Sequence, residues 1–194
     1  ALEAQIEDLA KKAGVTAKEL AELRKEKLAR EKELKVYKDL IAQLKKLVDA
    51  GTIKLGFRKG RMIVQLDNSI LFDSGKTELK EAGQAALTQL ATALTSVGNR
   101  DFLIAGHTDN VPIRSKRFRN NWELSTARAV EVVTFLTENG MKSTNVGAAG
   151  FGEFDPVGDN NSDEGRAQNR RIEIILMPKL GAIPGLKELL EAGS

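Results

Sequence analysis

Four blocks between residues 106 and 173 hold the side chains best placed to do chemistry: GHTDNVP at 106–112, NNWELSTARA at 120–129, GFGEFDP at 150–156 and GRAQNRRIE at 165–173. Asp109 and Arg128 stand out among them. If 122–139 is a helix, Arg128 shares its apolar stripe with Leu124, Val132 and Phe135, at spacings of four and seven. A guanidinium on the core side of a helix is costly unless a carboxylate meets it. That carboxylate can be Asp109, making a structural pair, or it can belong to a ligand; the spacing alone leaves the two readings level.

Other chemistries find less support. His107 is the one histidine and cysteine is absent, so a zinc site would need several carboxylates and no second histidine. No G-x-S-x-G elbow offers a nucleophile for a serine hydrolase, and His107 reads as a packed residue at a strand end. Ser74-Gly75-Lys76-Thr77 resembles the end of a phosphate-binding loop, but position 70 is isoleucine where that loop needs glycine. Lys76 and Thr77 read instead as a helix N-terminus. Gly150-Phe151-Gly152 lacks the third glycine of a dinucleotide fingerprint and reads as a turn with positive φ. No enzyme activity, cofactor or metal is expected.

The elements that must position these residues follow from periodicity and punctuation. Residues 53–57 and 62–66 alternate across Lys59-Gly60, which predicts a β-hairpin. A short apolar run at 70–72 precedes a helix expected from Thr77 to about Val97. Strands are predicted at 102–105, 146–149 and 172–177, the second long helix at 122–139 and a short helical turn at 162–168. Strands alternating with helices give an α/β sheet covered by helices. Thirty basic residues against twenty-seven acidic ones leave +3, too balanced to imply nucleic acid. Arg114, Lys116, Arg117 and Arg119 form a local basic cluster, read as a solvated loop.

Residues 1–50 obey different rules. Steps of four and three join Leu2, Ile6, Leu9, Ala13, Thr16, Leu20, Leu23, Lys27, Arg30, Leu34, Tyr37, Ile41, Leu44 and Val48 into a seven-residue register. A helix of this length would span roughly 75 Å. Its single apolar seam predicts a coiled-coil homodimer, although Gly14 with Thr16 and Glu19 has the form of a capping box that would begin a new helix. Gly51 is expected to end it. The organisation expected is therefore a coiled-coil segment at 1–50, a globular domain at 51–178 and a tail at 179–194 that includes a possible short helix. No apolar run is long enough to cross a bilayer, so any membrane attachment is expected through a segment outside this chain.

The four blocks together, from about residue 66 to 177, resemble the OmpA-like peptidoglycan-binding domain shared by OmpA tails, Pal lipoproteins and MotB stators. The TD pair, N-x-x-L-S-x-x-R-A and N-R-R-[VI]-E carry the resemblance; the NWELS wording and Val111-Pro112 are similar to the MotB branch. The resemblance implies a two-layer α/β (α+β) sandwich with a mixed sheet. It also implies a non-catalytic role in the periplasm, or cell envelope, of a Gram-negative bacterium: binding peptidoglycan through the diaminopimelate of its stem peptide and tethering an envelope component to the wall. The free end of diaminopimelate is a zwitterion, and the resemblance places its ammonium on Asp109 and its carboxylate on Arg128. Asn121 would supply amide bonds, and Thr108, Leu124 and Arg170 would line the pocket. Arg170 can equally pair with an acid of the fold. Gly75 departs from positions that often carry a polar side chain. The alternatives are a MotB-like stator anchor, or a coiled-coil adaptor whose pocket no longer functions.

Overall fold

In a computed structural model, the described residues are Ile6, Lys11, Gly14 and 16–98, 100–113 and 115–178. The expected tail at 179–194 and most of the expected register before Thr16 lie outside them. The first described helix, α1, spans Ala17–Asp49, about 50 Å at 1.5 Å per residue. The capping box sets its start. Thr16 N–H donates to Glu19 Oε2 at 2.7 Å and Glu19 N–H donates to Thr16 Oγ1 at 3.3 Å. These bonds hold the Glu19 carboxyl below its usual range. Gly51, at φ +70°, ends it, with Gly51 and Thr52 amides donating back to Val48 and Leu47 carbonyls.

The chain divides into two compact units, and the second runs from Leu40 to Pro178. The last turns of α1 therefore belong to the globular unit, where Leu40, Leu44 and Leu47 are buried and Ser96 Oγ donates to Gln43 Oε1 at 2.7 Å. Leu44, expected on an intermolecular seam, serves the protein's own core. In the first unit α1 leaves Leu23, Leu28 and Leu34 exposed.

Five strands form one mixed sheet among the described residues: β1 Lys54–Arg58, β2 Arg61–Asp67, β3 Phe102–His107, β4 Val146–Gly152 and β5 Arg171–Leu176. Their order is β1-β2-β5-β3-β4, antiparallel throughout except for the parallel pair β3–β4. The hairpin turns at Lys59 (φ 50°) and Gly60 (φ 73°), as the sequence predicts. Between the strands lie α2 (Asn68–Leu71), α3 (Glu81–Ser96), α4 (Asn121–Glu138) and α5 (Asp163–Asn169). The OmpA-like architecture, a mixed sheet preceded by a long helix, is the one expected.

One local expectation changes. The apolar run at 70–72 ends α2 and continues into Phe72, which bridges antiparallel to Leu79. That bridge holds Leu79 outside the helix, so α3 starts at Glu81 and Thr77 does not cap it.

Alternation along β3 and β5 sorts the sheet's two faces. Phe102, Ile104, Gly106, Ile172, Ile174 and Leu176 face the helices. The other face carries Leu103, Ala105, His107, Arg171, Glu173 and Ile175. A Cβ on Gly106 would lie 2.1 Å from the Ser125 carbonyl, and one on Gly150 would lie 2.1 Å from Thr126 Oγ1. These glycines let α4 sit on the backbone of β3 and β4. Gly152 is the one with positive φ, +56°; Gly150 serves close approach rather than a turn. Among the described residues, no helix is long and apolar enough to cross a membrane.

Candidate functional site

The site forms where β3 ends and α4 begins. β3 runs out at His107, and the next residues, Thr108 and Asp109, turn over the helix start. Asn120 caps α4, its Oδ1 accepting from Glu123 N–H at 3.0 Å, while Arg119 N–H donates to Glu123 Oε2 at 2.8 Å. The N-x-x-E of the sequence block is thus a helix-start signal that fixes Asn121, Leu124 and Arg128 on one face.

All six expected residues line one cleft of about 610 Å³: Thr108, Asp109, Asn121, Leu124, Arg128 and Arg170. The loop at Phe72–Gly75, with Asn68 and Lys80, forms much of the facing wall. Gly75, at φ +69°, lines it as well and contributes no side chain.

Arg128 is 5% exposed and takes no carboxylate among the described residues. Its Nε donates to the Lys76 carbonyl at 2.9 Å and its Nη2 to that of Asp73 at 3.2 Å; the guanidinium also lies 5.1 Å from the Phe72 ring centroid. Nη1 has no protein partner there. Burial pulls its pKa down to about 10; nearby Asp109 works against this and Arg170 works with it. At neutral pH the group remains a cation, held by neutral carbonyls where an anion would serve better.

The direct Asp109–Arg128 pair, one of the two sequence readings, does not form. Asp109 Oδ2 instead accepts from Arg170 Nη1, and its Oδ1 accepts from Val111 N–H at 3.1 Å. The Arg170 side chain is 44% exposed, so it can leave at small cost. Asn121 Nδ2 donates to Glu153 Oε2 at 2.6 Å and to the carbonyls of Val111 and Asp109 at 3.1 and 3.3 Å. Thr108 Oγ1 is buried with no partner, and so is Asn68 Oδ1, whose Nδ2 donates to the His107 carbonyl at 3.2 Å. Sequence reasoning missed Asn68, which reads there only as a residue before an apolar run.

His107 points to the other face. It stacks on Phe151 with centroids 5.1 Å apart, and its Nε2 is 3.7 Å from Glu173 Oε2. Arg171, expected to close a motif, is fully buried there and donates to Glu173 Oε1 at 2.7 Å. In the basic loop, Arg117 pairs with Glu78 and Arg119 with Glu123. Among the described residues no cluster of three or more His, Cys, Asp or Glu is arranged to hold a metal ion.

Comparison with known proteins fits this geometry. Motility protein B of Bacillus subtilis is 37% identical over 119 residues, covering 61% of this chain and 46% of that protein. The crystal structure of a MotB-like protein from Desulfovibrio vulgaris superposes with a TM-score of 0.70 at 31% identity, covering 77% of this chain and 94% of that one. The cell wall anchor of the T6SS from Pseudomonas aeruginosa gives 0.66 at 33% identity, covering 72% and 97%. The chain spans about half the length of the curated relatives it matches. The profile of the OmpA family matches residues 71–170, which include the whole cleft apart from its Asn68–Ser69 end. On that match, which spans just over half of its residues, this chain belongs to the OmpA family.

Proposed function

We propose that this domain binds peptidoglycan and anchors a MotB-type stator protein to the wall. The relatives named for motility favour the stator, an alternative in the sequence reading, over the general tether of an envelope component placed first there. The ligand is the zwitterionic end of stem-peptide diaminopimelate. The observation that carries this reading is Arg128: a buried cation, lining a cleft, with no carboxylate partner and no bond from Nη1 among the described residues. A ligand carboxylate completes its fork, and the ligand ammonium takes Asp109 from Arg170. Arg170 then acts as the stand-in that keeps the acid occupied while the cleft is empty. Asn121 holds the Asp109 loop, and Thr108 Oγ1 and Asn68 Oδ1 offer hydrogen-bonding capacity that the protein leaves unused.

Each charged hydrogen bond is worth roughly 1.5–3 kcal/mol net. After the cost of association, a few of them give a single-site Kd on the order of micromolar to millimolar. A second copy would make such a site firm by avidity. Exposed Leu23 and Leu34 on α1 support pairing of two chains through that helix.

The test is sedimentation with purified peptidoglycan. Asp109→Ala should abolish it, and Arg128→Lys should weaken it by about tenfold or more, since the charge stays but the fork is lost. Circular dichroism must show both variants folded. If both still sediment like the parent, the pair is structural and the wall is held elsewhere.

A further inference from the structure

Beside the cleft, Trp122 and Phe154 stack with ring centroids 5.0 Å apart and planes 20° from parallel. Both face solvent, at 45% and 64% exposure. Single exposed apolar side chains are ordinary, but a stacked exposed pair on fixed backbone is a built surface. Trp122 is the second residue of α4. Phe154 sits on the turn after β4, where its N–H donates to the Phe151 carbonyl at 3.3 Å. Gly152 ties the two together: its N–H donates to Ser125 Oγ at 3.0 Å, and a Cβ there would meet Trp122 N at 3.4 Å and Phe154 Cδ2 at 3.6 Å.

The same residues join this surface to the cleft. Thr108 N–H donates to the Gly152 carbonyl at 2.9 Å. The one amide nitrogen of Asn121 bonds Val111, on the cleft wall, and Glu153, next to Phe154. The backbone that carries Trp122 is thus one residue from Asn121 on the cleft wall, a Cα step of about 3.8 Å.

We infer that the Trp122–Phe154 pair is a sugar platform, taking the C–H face of a pyranose ring of the glycan strand whose stem peptide occupies the cleft. The inference depends on the cleft reading for its order of attachment. The chemistry fits: aromatic faces are negative at their centres and attract the weakly positive C–H face of a hexose ring. Glu153 Oε1, which has no hydrogen bond within the described protein, accepts from a sugar hydroxyl. Reach also fits, because diaminopimelate is the third residue of the stem: three α-linked residues would span about 10 Å, and the γ-linkage of D-Glu with the lactyl ether adds only a few ångströms. The sugar that bears the peptide thus has to lie close to the cleft mouth.

Trp122 is the only tryptophan in the chain, so its emission reports the platform directly. Two probes separate the subsites: the tripeptide L-Ala-γ-D-Glu-meso-diaminopimelate, and the same tripeptide on its N-acetylglucosamine–N-acetylmuramic acid disaccharide, each titrated by calorimetry and fluorescence. The parent should prefer the disaccharide form by roughly tenfold, with indole emission changing only for that form. Trp122→Ala and Phe154→Ala, read by calorimetry, should lose the preference and keep the tripeptide affinity; Trp122→Phe should retain part of it. Equal affinity of the parent for both probes, with unchanged emission, overturns the platform. So does equal weakening of both probes by Trp122→Ala, which would make Trp122 a prop for Asn121. If the tripeptide does not bind but the peptide-free disaccharide changes the emission, the cleft reading fails and the platform stands. If neither probe nor the free disaccharide has any effect, both fail.

Discussion

Thr108 carries a hydroxyl that the free protein does not use. Among the described residues it is buried without a partner, and such a group costs about 1–3 kcal/mol. Thr108→Val removes the unpaired hydroxyl and keeps the branched shape. The expected outcome is a free protein as stable as the parent or up to about 1 kcal/mol more stable, with peptidoglycan binding weakened by about tenfold. Thermal melts and wall sedimentation check the two halves, and only opposite signs fit a group reserved for ligand. Arg128 was legible because a charge on an apolar stripe is an anomaly that local periodicity exposes, whereas Asp109 was legible through the motif that carries the family resemblance. Their partners were not legible. Arg170 reaches Asp109 across 61 residues of chain, and Asn68 reaches the His107 carbonyl across 39. No local pattern encodes which arginine a carboxylate will choose.

Among the elements, α1 does two jobs that its heptad register ran together. Leu40, Leu44 and Leu47 repeat at four and three and are buried in the globular unit, while Leu23 and Leu34 stay exposed. A chain cut before Leu40 should fold as a monomer. One cut at Gly51 loses three buried leucines, each worth about 1.5–3 kcal/mol, and should melt far lower or fail to fold. The sequence reading placed the domain boundary at that glycine, because a seam facing a partner and a stripe facing one's own core have the same period. Leu23→Glu with Leu34→Glu should leave the melting of the globular unit unchanged and yield a monomeric mass by sedimentation. A monomeric parent would sink the coiled-coil proposal. The hairpin and α4 were readable from Lys59-Gly60 and from N-x-x-E, whose signals are local. The start of α3 was not, since the Phe72–Leu79 bridge overrides the apparent cap at Thr77. Gly106→Ala tests the helix–sheet contact: with 2.1 Å to the Ser125 carbonyl, α4 must shift, and a loss of about 2 kcal/mol or more in chemical denaturation is expected.

At the scale of the whole molecule, stability should fall in acid in two stages, because the sheet face away from the helices is charged. Arg58 clasps Asp155 through both nitrogens at 2.5 and 2.6 Å and reaches Glu173 at 3.2 Å, while Arg171 joins Glu173 to the carbonyls of Asn169 and Asp155. Burial acts to raise the Glu173 carboxyl, but His107 and Arg171 outweigh it and hold the pKa at about 2, against 4.5. Asp155, countering its own burial through Arg58 and Lys59, also lies at about 2, against 3.8. Both pKa values are depressed, so their stabilisation is complete above the unfolded values and is lost as pH falls towards 2. His107 behaves in the same sense for a different reason. Burial lowers its pKa below 6.5, so the unfolded chain binds that proton first and stability begins to fall below about pH 6.5. The Glu173 stage is worth on the order of 3 kcal/mol, a large share of the 5–15 kcal/mol typical of a domain. His107→Gln should remove the first stage, below pH 6.5, and shrink the second, because His107 is one of the groups that hold Glu173 down. Asp155→Asn should shrink the second and leave the first. Urea midpoints measured from pH 7 to pH 2.5 read both, and a parent curve flat over that range would show that the charged face does not set the acid limit of this fold.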